Sequence, residues 1–531
     1  MTRTLARPAL AAFLLGAASV AAFEPVGFYP LIFPTLAGLF GLLDAAASRK
    51  TSFRGGALLG GAFGFGLFIA GVSWIFVSLS TFGNMPAPLA AFATFLFCLV
   101  ESLFPALAGA LFVRFAPESK LGRVLFFAAL WTLAEVLRGS GSFGFPWLTI
   151  GYSQTPPSPL AAFAPIVGVY GVSLVVALAA APLSEIARGV FARSGDPAEM
   201  PPPLETCNSF KTCRCRPFLP FLAIIAAGTA LRPIEWSAPT GAPLKLAIAQ
   251  GNIAQEMKWR PEHFHETLRV FLRLVEENPA QLTILPEAAF PAFLDQIPRD
   301  YITNLSALAR REAGGLIVGI PTRESEERPY NSAILLGAPG KNAAVKYDKS
   351  HLVPFGEFVP PGFKWFLELV DIPMSNFASG AQKQPILRVG DQRIAVNICY
   401  EDAFGAEIVR ALPEATLLVN LSNVAWFGDS LAPAQHLQIS QMRALETGRT
   451  MLRATNTGMT AIIGPDGRVV KRLAPFTRDV LRGEAQGYAG TTPFVRWGNW
   501  LVIAIALVML YQGTDVRRRE TEKYAAQSAG K

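Results

Sequence analysis

The sequence is short of charge. Only 16% of its 531 residues are Asp, Glu, Lys or Arg, where a soluble globular chain carries about a quarter. That shortfall argues against a single soluble core. Histidine is rarer still, with four residues, and cysteine numbers five. Three of the cysteines, Cys207, Cys213 and Cys215, crowd one segment with no histidine nearby, a poor zinc set that reads better as reduced thiols. Cys98 lies in an apolar run and reads as a small core residue. Cys399 stands alone in the second half of the chain, so no disulfide can form within that half, and the residue is either a buried hydrophobe or a reactive thiol. A GxSxG nucleophile elbow and a glycine-rich phosphate loop are both missing.

Apolar length is what the chain has instead: 51% of residues are hydrophobic, 39 of them Phe, and the mean hydropathy is +0.34. Crossing a bilayer takes about 20 apolar residues in a helix. Seven candidate spans precede residue 235: Pro8–Phe23, Gly27–Ala47, Gly55–Leu79, Pro88–Phe112, Val124–Leu137, Leu160–Ile186 and Pro217–Leu231. An eighth, Trp497–Tyr511, lies near the end. The expected organisation is a seven-helix membrane domain over residues 1–232, a water-facing domain over 233–494, and a last span with its tail over 495–531.

The positive charges orient these spans. Arg3 and Arg7 precede the first; Arg49, Lys50 and Arg54 separate the second and third; Arg114, Lys120 and Arg123 separate the fourth and fifth. Arg188, Arg193, Lys211, Arg214 and Arg216 lie between the sixth and seventh, and Arg517, Arg518, Arg519 and Lys523 follow the last. The alternate loops, Glu24–Pro30, Ser80–Pro86 and Gly139–Pro159, carry no Lys or Arg. The positive-inside rule then places both termini in the cytoplasm and the large domain outside. Much of the net charge of +8 is accounted for by topology, so no nucleic-acid partner is expected. The first span also has the look of a signal peptide, with basic residues before a short apolar run and small residues at its end. Its removal would put the charge pattern at odds with the N-terminus, which favours an uncleaved helix. Within the spans, Glu101, Glu135 and Arg138 are expensive in lipid and by default functional; for Arg138, snorkelling or a helix-pair salt bridge is the preferred reading.

From Leu244 the pattern turns to short β-branched runs alternating with amphipathic helices. Expected strands are Leu244–Gln250, Leu282–Pro286, Gly315–Ile320, Ser332–Leu336, Ile394–Ile398, Thr416–Val419 and Thr460–Ile463. Expected helices are Pro261–Glu277, Arg299–Glu312, Ala403–Ala411 and Ala432–Thr447. The turn from Gly464 to Gly467 (GPDG) closes a hairpin-like edge. A layered α/β domain follows. Three of its polar residues sit where strands end and turns open to solvent: Glu287 in LPEAAFP, Lys349 in KYDKSHLVPFGEFVPPG, and Cys399 in NICYEDAFG. Singly, each is more often a cap, a surface residue or a packed thiol; together, in that order, they are specific. The histidines His263, His265, His351 and His436 show no pattern tying one of them to Cys399 as a Cys–His pair would need.

These residues carry a resemblance. The second half of the chain looks like the nitrilase or carbon–nitrogen hydrolase fold, an α-β-β-α sandwich whose Glu, Lys and Cys come in this order. The whole chain resembles the bacterial apolipoprotein N-acyltransferase family, through GNIAQEMKW, LPEAAFP, RPYNSAILLG, KSHLVPFGEFVP, ICYED and SNVAWFGDS, and through WTLAEVLRG, GFPWLTIGYSQ and GVYG on the membrane side. Val424 departs from the Asp expected in SNVAWFG.

The resemblance implies a bacterial inner-membrane enzyme with its catalytic domain on the periplasmic face. It implies transfer of an acyl chain from a phospholipid, through a thioester, to the α-amino group of a diacylglyceryl-cysteine at the N-terminus of an apolipoprotein. Glu287 would be general base and acid, Lys349 the oxyanion stabiliser and Cys399 the nucleophile. Glu357, Tyr400, Glu401, Trp259 and Asn331 would support them, with no metal, no cofactor and a monomeric enzyme. A membrane-tethered amidohydrolase shares the triad, with water resolving the thioester. A transporter or scaffold would need paired ionisable residues or inverted repeats in the spans, and neither is clear.

Overall fold

The computed structural model describes residues 2–185, 218–337, 345–359, 362 and 376–513. Helices of ten residues or more are numbered in chain order: α1 (Thr2–Ser19), α2 (Ile32–Ser48), α3 (Phe53–Gly71), α4 (Ala87–Phe115), α5 (Lys120–Arg138), α6 (Ala164–Ala180), α7 (Phe218–Leu231), α8 (Phe264–Glu276), α9 (Arg299–Arg311), α10 (Ala432–Thr447) and α11 (Trp500–Gly513). Each of the eight expected spans falls on one of them. Five, containing α1, α2, α3, α4 and α6, are long and apolar enough to cross a bilayer. Helices α7 and α11 are apolar but shorter, and α5 carries Lys120, Arg123, Glu135 and Arg138. The cysteine cluster at 207–215 and the basic residues at 188–216 and 517–523 lie outside the described residues.

Helix α3 is built to be approached closely. A Cβ on Gly66 would stand 2.1 Å from the Phe13 carbonyl oxygen of α1, and one on Gly60 would stand 2.1 Å from the Pro105 carbonyl oxygen of α4. Lipid gives helices no hydrophobic reason to associate, so such small-residue contacts supply the packing. The first helix is thus seated in the bundle, and Ser19 also donates to Thr35 of α2 at 2.9 Å.

Two spans expected to run on are interrupted. The third was expected to reach Leu79, but α3 stops at Gly71. There the Gly71 carbonyl accepts from Gln435 Nε2 at 3.1 Å. The sixth is kinked at Gly168, whose φ of +66° belongs to glycine. There the Val169 N–H leaves the helix ladder for Glu446 Oε1 at 2.7 Å.

Both interrupting side chains come from α10, which is buried at every one of its 16 residues. Leu437 and Ala444 pack on the water-facing domain's second sheet, while Ala432, Ile439, Met442 and Leu445 join the core of the membrane helices. Its polar residues are spoken for as well. Gln435 Oε1 accepts from the indoles of Trp74 at 3.2 Å and Trp147 at 2.8 Å, and Arg443 pairs with Glu446 at 3.0 Å.

The water-facing domain is two six-stranded sheets face to face. The strands are β1 (Ser237–Gln250), β2 (Leu282–Ile284), β3 (Gly315–Arg323), β4 (Pro329–Leu336), β5 (Val345–Asp348), β6 (Leu387–Val389), β7 (Gln392–Ile398), β8 (Leu417–Ser422), β9 (Thr450–Thr455), β10 (Ala461–Ile463), β11 (Val469–Arg472) and β12 (Asp479–Gly490). One sheet runs β12-β1-β2-β3-β4-β5, the other β11-β10-β9-β8-β7-β6. The central strands β1 to β3 are parallel, as are β7 to β9, with antiparallel strands flanking. Side chains alternate across a strand. Leu244, Leu246 and Ile248 of β1 therefore enter the core between the sheets, and Ala247 and Ala249 meet α8 and α9 outside. The expected α-β-β-α sandwich is the fold observed.

All seven expected strands are present. Five others, β5, β6, β9, β11 and β12, escaped the pattern because they are short, charged or rich in glycine. The expected helix Ala403–Ala411 breaks into short turns around Gly405–Ile408, because Phe404 at φ −107° and ψ 82° leaves helical geometry. Ala432–Thr447 is helical over its full expected length.

If α10 ties the two halves together through Gln435, then Gln435→Ala strands two indole N–H groups and a carbonyl in the interior. The expected cost is about 1–3 kcal/mol, read as a lower unfolding midpoint in detergent. An unchanged midpoint would refute it.

Candidate active site

Glu287, Lys349 and Cys399 all follow the C-terminal ends of strands: Glu287 lies beyond β2, Lys349 directly follows β5, and Cys399 directly follows β7. The first two come from one sheet and the third from the other. The backbone turns sharply at two of them: Ala288, after Glu287, has φ +46° and Cys399 itself φ +54°. Side chains with a Cβ rarely adopt such angles, and at functional sites the strain is held by surrounding contacts. At Cys399 the hold is visible. Its carbonyl accepts from Asn420 Nδ2 at 3.1 Å and from His436 Nε2 at 3.3 Å.

Lys349 is fully buried. Its Nζ lies 2.8 Å from Glu357 Oε2 and 3.7 Å from Glu287 Oε1. Burial alone would depress its pKa, but the carboxylates of Glu357 and Glu287 outweigh it and hold the pKa above the usual lysine range. Lys349 is therefore a fixed cation. The Asn331 amide bridges the two carboxylates, donating to Glu287 Oε1 at 2.8 Å and to Glu357 Oε1 at 2.7 Å. Glu287 Oε2 accepts from the backbone N–H of Asn423 at 2.7 Å. Cys399 is half-buried. Burial, reinforced by Glu287 and opposed by Lys349, raises the pKa of its thiol. A thiol in that state is protonated at neutral pH and needs a base before it can attack.

Glu401, two residues past Cys399, does not reach for the reacting groups. It accepts from the Ile398 N–H at 2.7 Å, the Ser350 N–H at 2.7 Å, the His351 N–H at 3.1 Å, the Ser350 hydroxyl at 2.8 Å and the Tyr347 hydroxyl at 2.9 Å. Its carboxylate thus clips the turn after Lys349 to the end of the Cys399 strand. Burial raises its pKa, against the pull of these donors and of Lys349. Tyr400 points the other way and donates to the Gly144 carbonyl at 2.7 Å, in the loop that follows α5. Trp259 is half-buried, and no partner for its indole N–H is found among the described residues.

Several residues that hold the site were not singled out from sequence. Asp402 and Arg453 are fully buried. With Ser440, His436 and Asn420 they form a polar cluster behind Cys399: Asp402 accepts from Ser440 at 2.5 Å and lies 2.7 Å from His436 Nε2, and Arg453 donates to Asn420 Oδ1 at 2.8 Å. The two neighbours of His436 Nε2 are both acceptors, so that nitrogen carries the proton. Burial works against ionisation of Asp402, but His436 and Arg453 overcome it and hold its carboxyl below the usual range. No motif pointed to Arg453, and its strand, β9, was not among those expected. Asp402, by contrast, stands inside ICYED. Lys258 was passed over although it stands beside Trp259 in GNIAQEMKW.

Of the two readings of Arg138, the helix-pair salt bridge is observed and snorkelling is not: the side chain is 4% exposed and its guanidinium lies 4.0 Å from the Glu101 carboxylate of α4. It donates to the Phe145 carbonyl, to the Trp147 carbonyl at 2.7 Å and to Thr149 Oγ1 at 3.1 Å, which shapes the loop that receives Tyr400. Of that loop's aromatics Phe143 is exposed, whereas Trp147 is buried against Gln435. Val424 is buried at the start of a 3-10 turn, Val424–Phe427.

The sandwich falls within residues 245–494, which match the carbon-nitrogen hydrolase family model, so this half is a carbon–nitrogen hydrolase domain. Residues 15–182 match the apolipoprotein N-acyltransferase N-terminal domain. The chain is 45% identical to an apolipoprotein N-acyltransferase of Nitrosomonas europaea, over 95% of this chain and 96% of the relative. It is 42% identical to one of Chromobacterium violaceum, over 95% and 93%. The chain belongs to the apolipoprotein N-acyltransferase family. Among solved structures it is similar to an amidase of the nitrilase superfamily from Nesterenkonia AN1, 19% identical over 50% of this chain and 97% of that one, TM-score 0.35. A carbon–nitrogen hydrolase of Helicobacter pylori G27 is 17% identical over 46% and 89%, also with a TM-score of 0.35.

Glu401→Gln puts an amide NH₂ among five donors. The Lys349 turn should then part from the Cys399 strand, slowing acylation of the enzyme on the order of 100-fold and lowering stability by about 1–3 kcal/mol. A rate within twofold of wild type would show that the clip is dispensable.

Proposed function

We propose that this membrane protein acylates the N-terminal diacylglyceryl-cysteine of apolipoproteins, using a phospholipid as donor and Cys399 as the acyl carrier. Glu287 takes the thiol proton of Cys399 as sulfur attacks the ester carbonyl. The charge that develops on the carbonyl oxygen is met by Lys349, with the Tyr400 backbone N–H as second donor. Collapse breaks the ester C–O bond, and Glu287 returns the proton to the departing lysophospholipid oxygen. The enzyme is left as a thioester. The α-amino group of the acceptor then attacks, gives a proton to Glu287, and the sulfur leaves as the amide forms; that proton restores the thiol. Glu357 holds Lys349, Asn331 spaces the two carboxylates, Glu401 and Tyr400 fix the turn, and Trp259 flanks an acyl chain. Every proton and bond balances without a redox or metal cofactor.

The observation that carries this reading is the position of Cys399. Its neighbour Tyr400 is bonded to a loop of the membrane half at 2.7 Å, and α10 is buried between that half and the catalytic sheet. A soluble substrate would give no reason for such a junction; two lipid-bearing substrates do. The basic loops support an arrangement with the catalytic domain on the periplasmic face of the inner membrane and both termini inside. They go with a division at residues 1–232, 233–494 and 495–531, and we propose that a single copy suffices.

Intact mass spectrometry of detergent-purified protein mixed with phospholipid tests the scheme. An acyl adduct labile to hydroxylamine should appear on the wild type and be lost in Cys399→Ala and Glu287→Gln. Adding a diacylated lipopeptide should discharge it into an N-acylated product. Discharge into free fatty acid alone would make the protein a hydrolase, and an adduct surviving Cys399→Ala would remove Cys399 as carrier.

A further inference from the structure

Glu287 is gripped from a side that the reaction scheme does not use. The short turn Gln255–Lys258 exposes Glu256 and Met257 and sends Gln255 and Lys258 inward. Lys258 is 1% exposed, and its Nζ donates to the backbone carbonyl of Glu287 at 3.3 Å. Gln255 Oε1 accepts from Asn423 Nδ2 at 2.9 Å, and it is the N–H of Asn423 that binds the Glu287 carboxylate. One turn therefore holds both the backbone and, through Asn423, the side chain of Glu287.

Charge points the same way. Glu287 and Glu357 bring two negative charges, and Lys349 is the one cation in ion-pair distance of them among the described residues. Arg453, which also faces the site, is paired with Asp402 at 3.3 Å, and Cys399 rests as a neutral thiol. One negative charge is left over. Lys258, which makes no ion pair of its own among the described residues, is the buried cation that offsets it.

We propose that Lys258 is a positioning residue that fixes Glu287 from behind and offsets the surplus negative charge beside it, so that the pH dependence of acylation depends on Lys258. The inference rests on the reading of Glu287 as the base. An ammonium nearby favours a carboxylate's charged form. Burial lowers the Lys258 pKa to about 8, against the pull of Glu287, so the cation is in place through neutral pH and is lost above it. When the proton of Cys399 moves onto Glu287, negative charge passes to the reacting oxygen while both lysines stay, and the site as a whole remains balanced.

The test is single-turnover acylation by phospholipid, followed by intact mass, as a function of pH. Lys258→Met removes the charge at nearly constant volume. Its acid limb should move up by about one pH unit, cutting the rate on that limb about tenfold, with the donor concentration for half-maximal rate unchanged. Lys258→Arg keeps the charge and should keep the wild-type limb. A Lys258→Met limb at the wild-type position, whatever its plateau, would overturn the proposal. So would a displaced limb in Lys258→Arg, which covers the case where the Met variant does not fold. Glu287→Gln run alongside separates the two readings: if it acylates at the wild-type rate, the base has been misassigned and the fault lies there.

Discussion

Everything in this protein depends on a helix that has no exposed face. Helix α10 belongs by sequence to the catalytic sandwich, yet half of its apolar side chains complete the core of the membrane helices. A helix buried all round must satisfy every polar group internally. Gln435 and Glu446 do so by taking groups that two membrane helices give up: the last carbonyl of α3 and the N–H of Val169 at the α6 kink. The breaks in those spans and the docking of the catalytic domain are one feature seen from two sides.

That constraint explains what could be read from the residues alone. Apolar length located eight helices, and short β-branched runs located β1 to β3, β7 and β8 in the parallel centres of the sheets, because those segments answer to one local environment. The interrupted spans could not be read, since the carbonyl left free where α3 stops at Gly71 is met by a glutamine more than 350 positions away. Strands such as β9 were missed for the same reason. Arg453 is out of place in a strand until Asp402, Asn420 and Ser440 surround it.

The candidate site divides likewise. Glu287, Lys349 and Cys399 stand at strand ends in distinctive motifs, so their residue types and order suffice. What fixes them is distributed. Asn331 spans two carboxylates, Glu401 ties the end of β7 to the turn after β5, and Lys258 reaches in from a turn after β1. Glu401 and Asn331 were flagged through their motifs, but the work they do became legible only when both sheets were in view. Arg138 divides in the same way: its salt bridge to Glu101 of the neighbouring helix was among the readings its position allowed, but its second task, folding the loop that Tyr400 meets, shows only in three dimensions.

The bond from Tyr400 to Gly144 bears on what chain lengths the enzyme can handle. Tyr400 ties the turn at Cys399 to the membrane half at a set height. On the scheme proposed above, a carbonyl that reacts with Cys399 must come to that height whatever hangs from it, so longer and shorter acyl chains would differ only at their far ends. Selectivity for length would then fall to the bundle rather than to the catalytic domain.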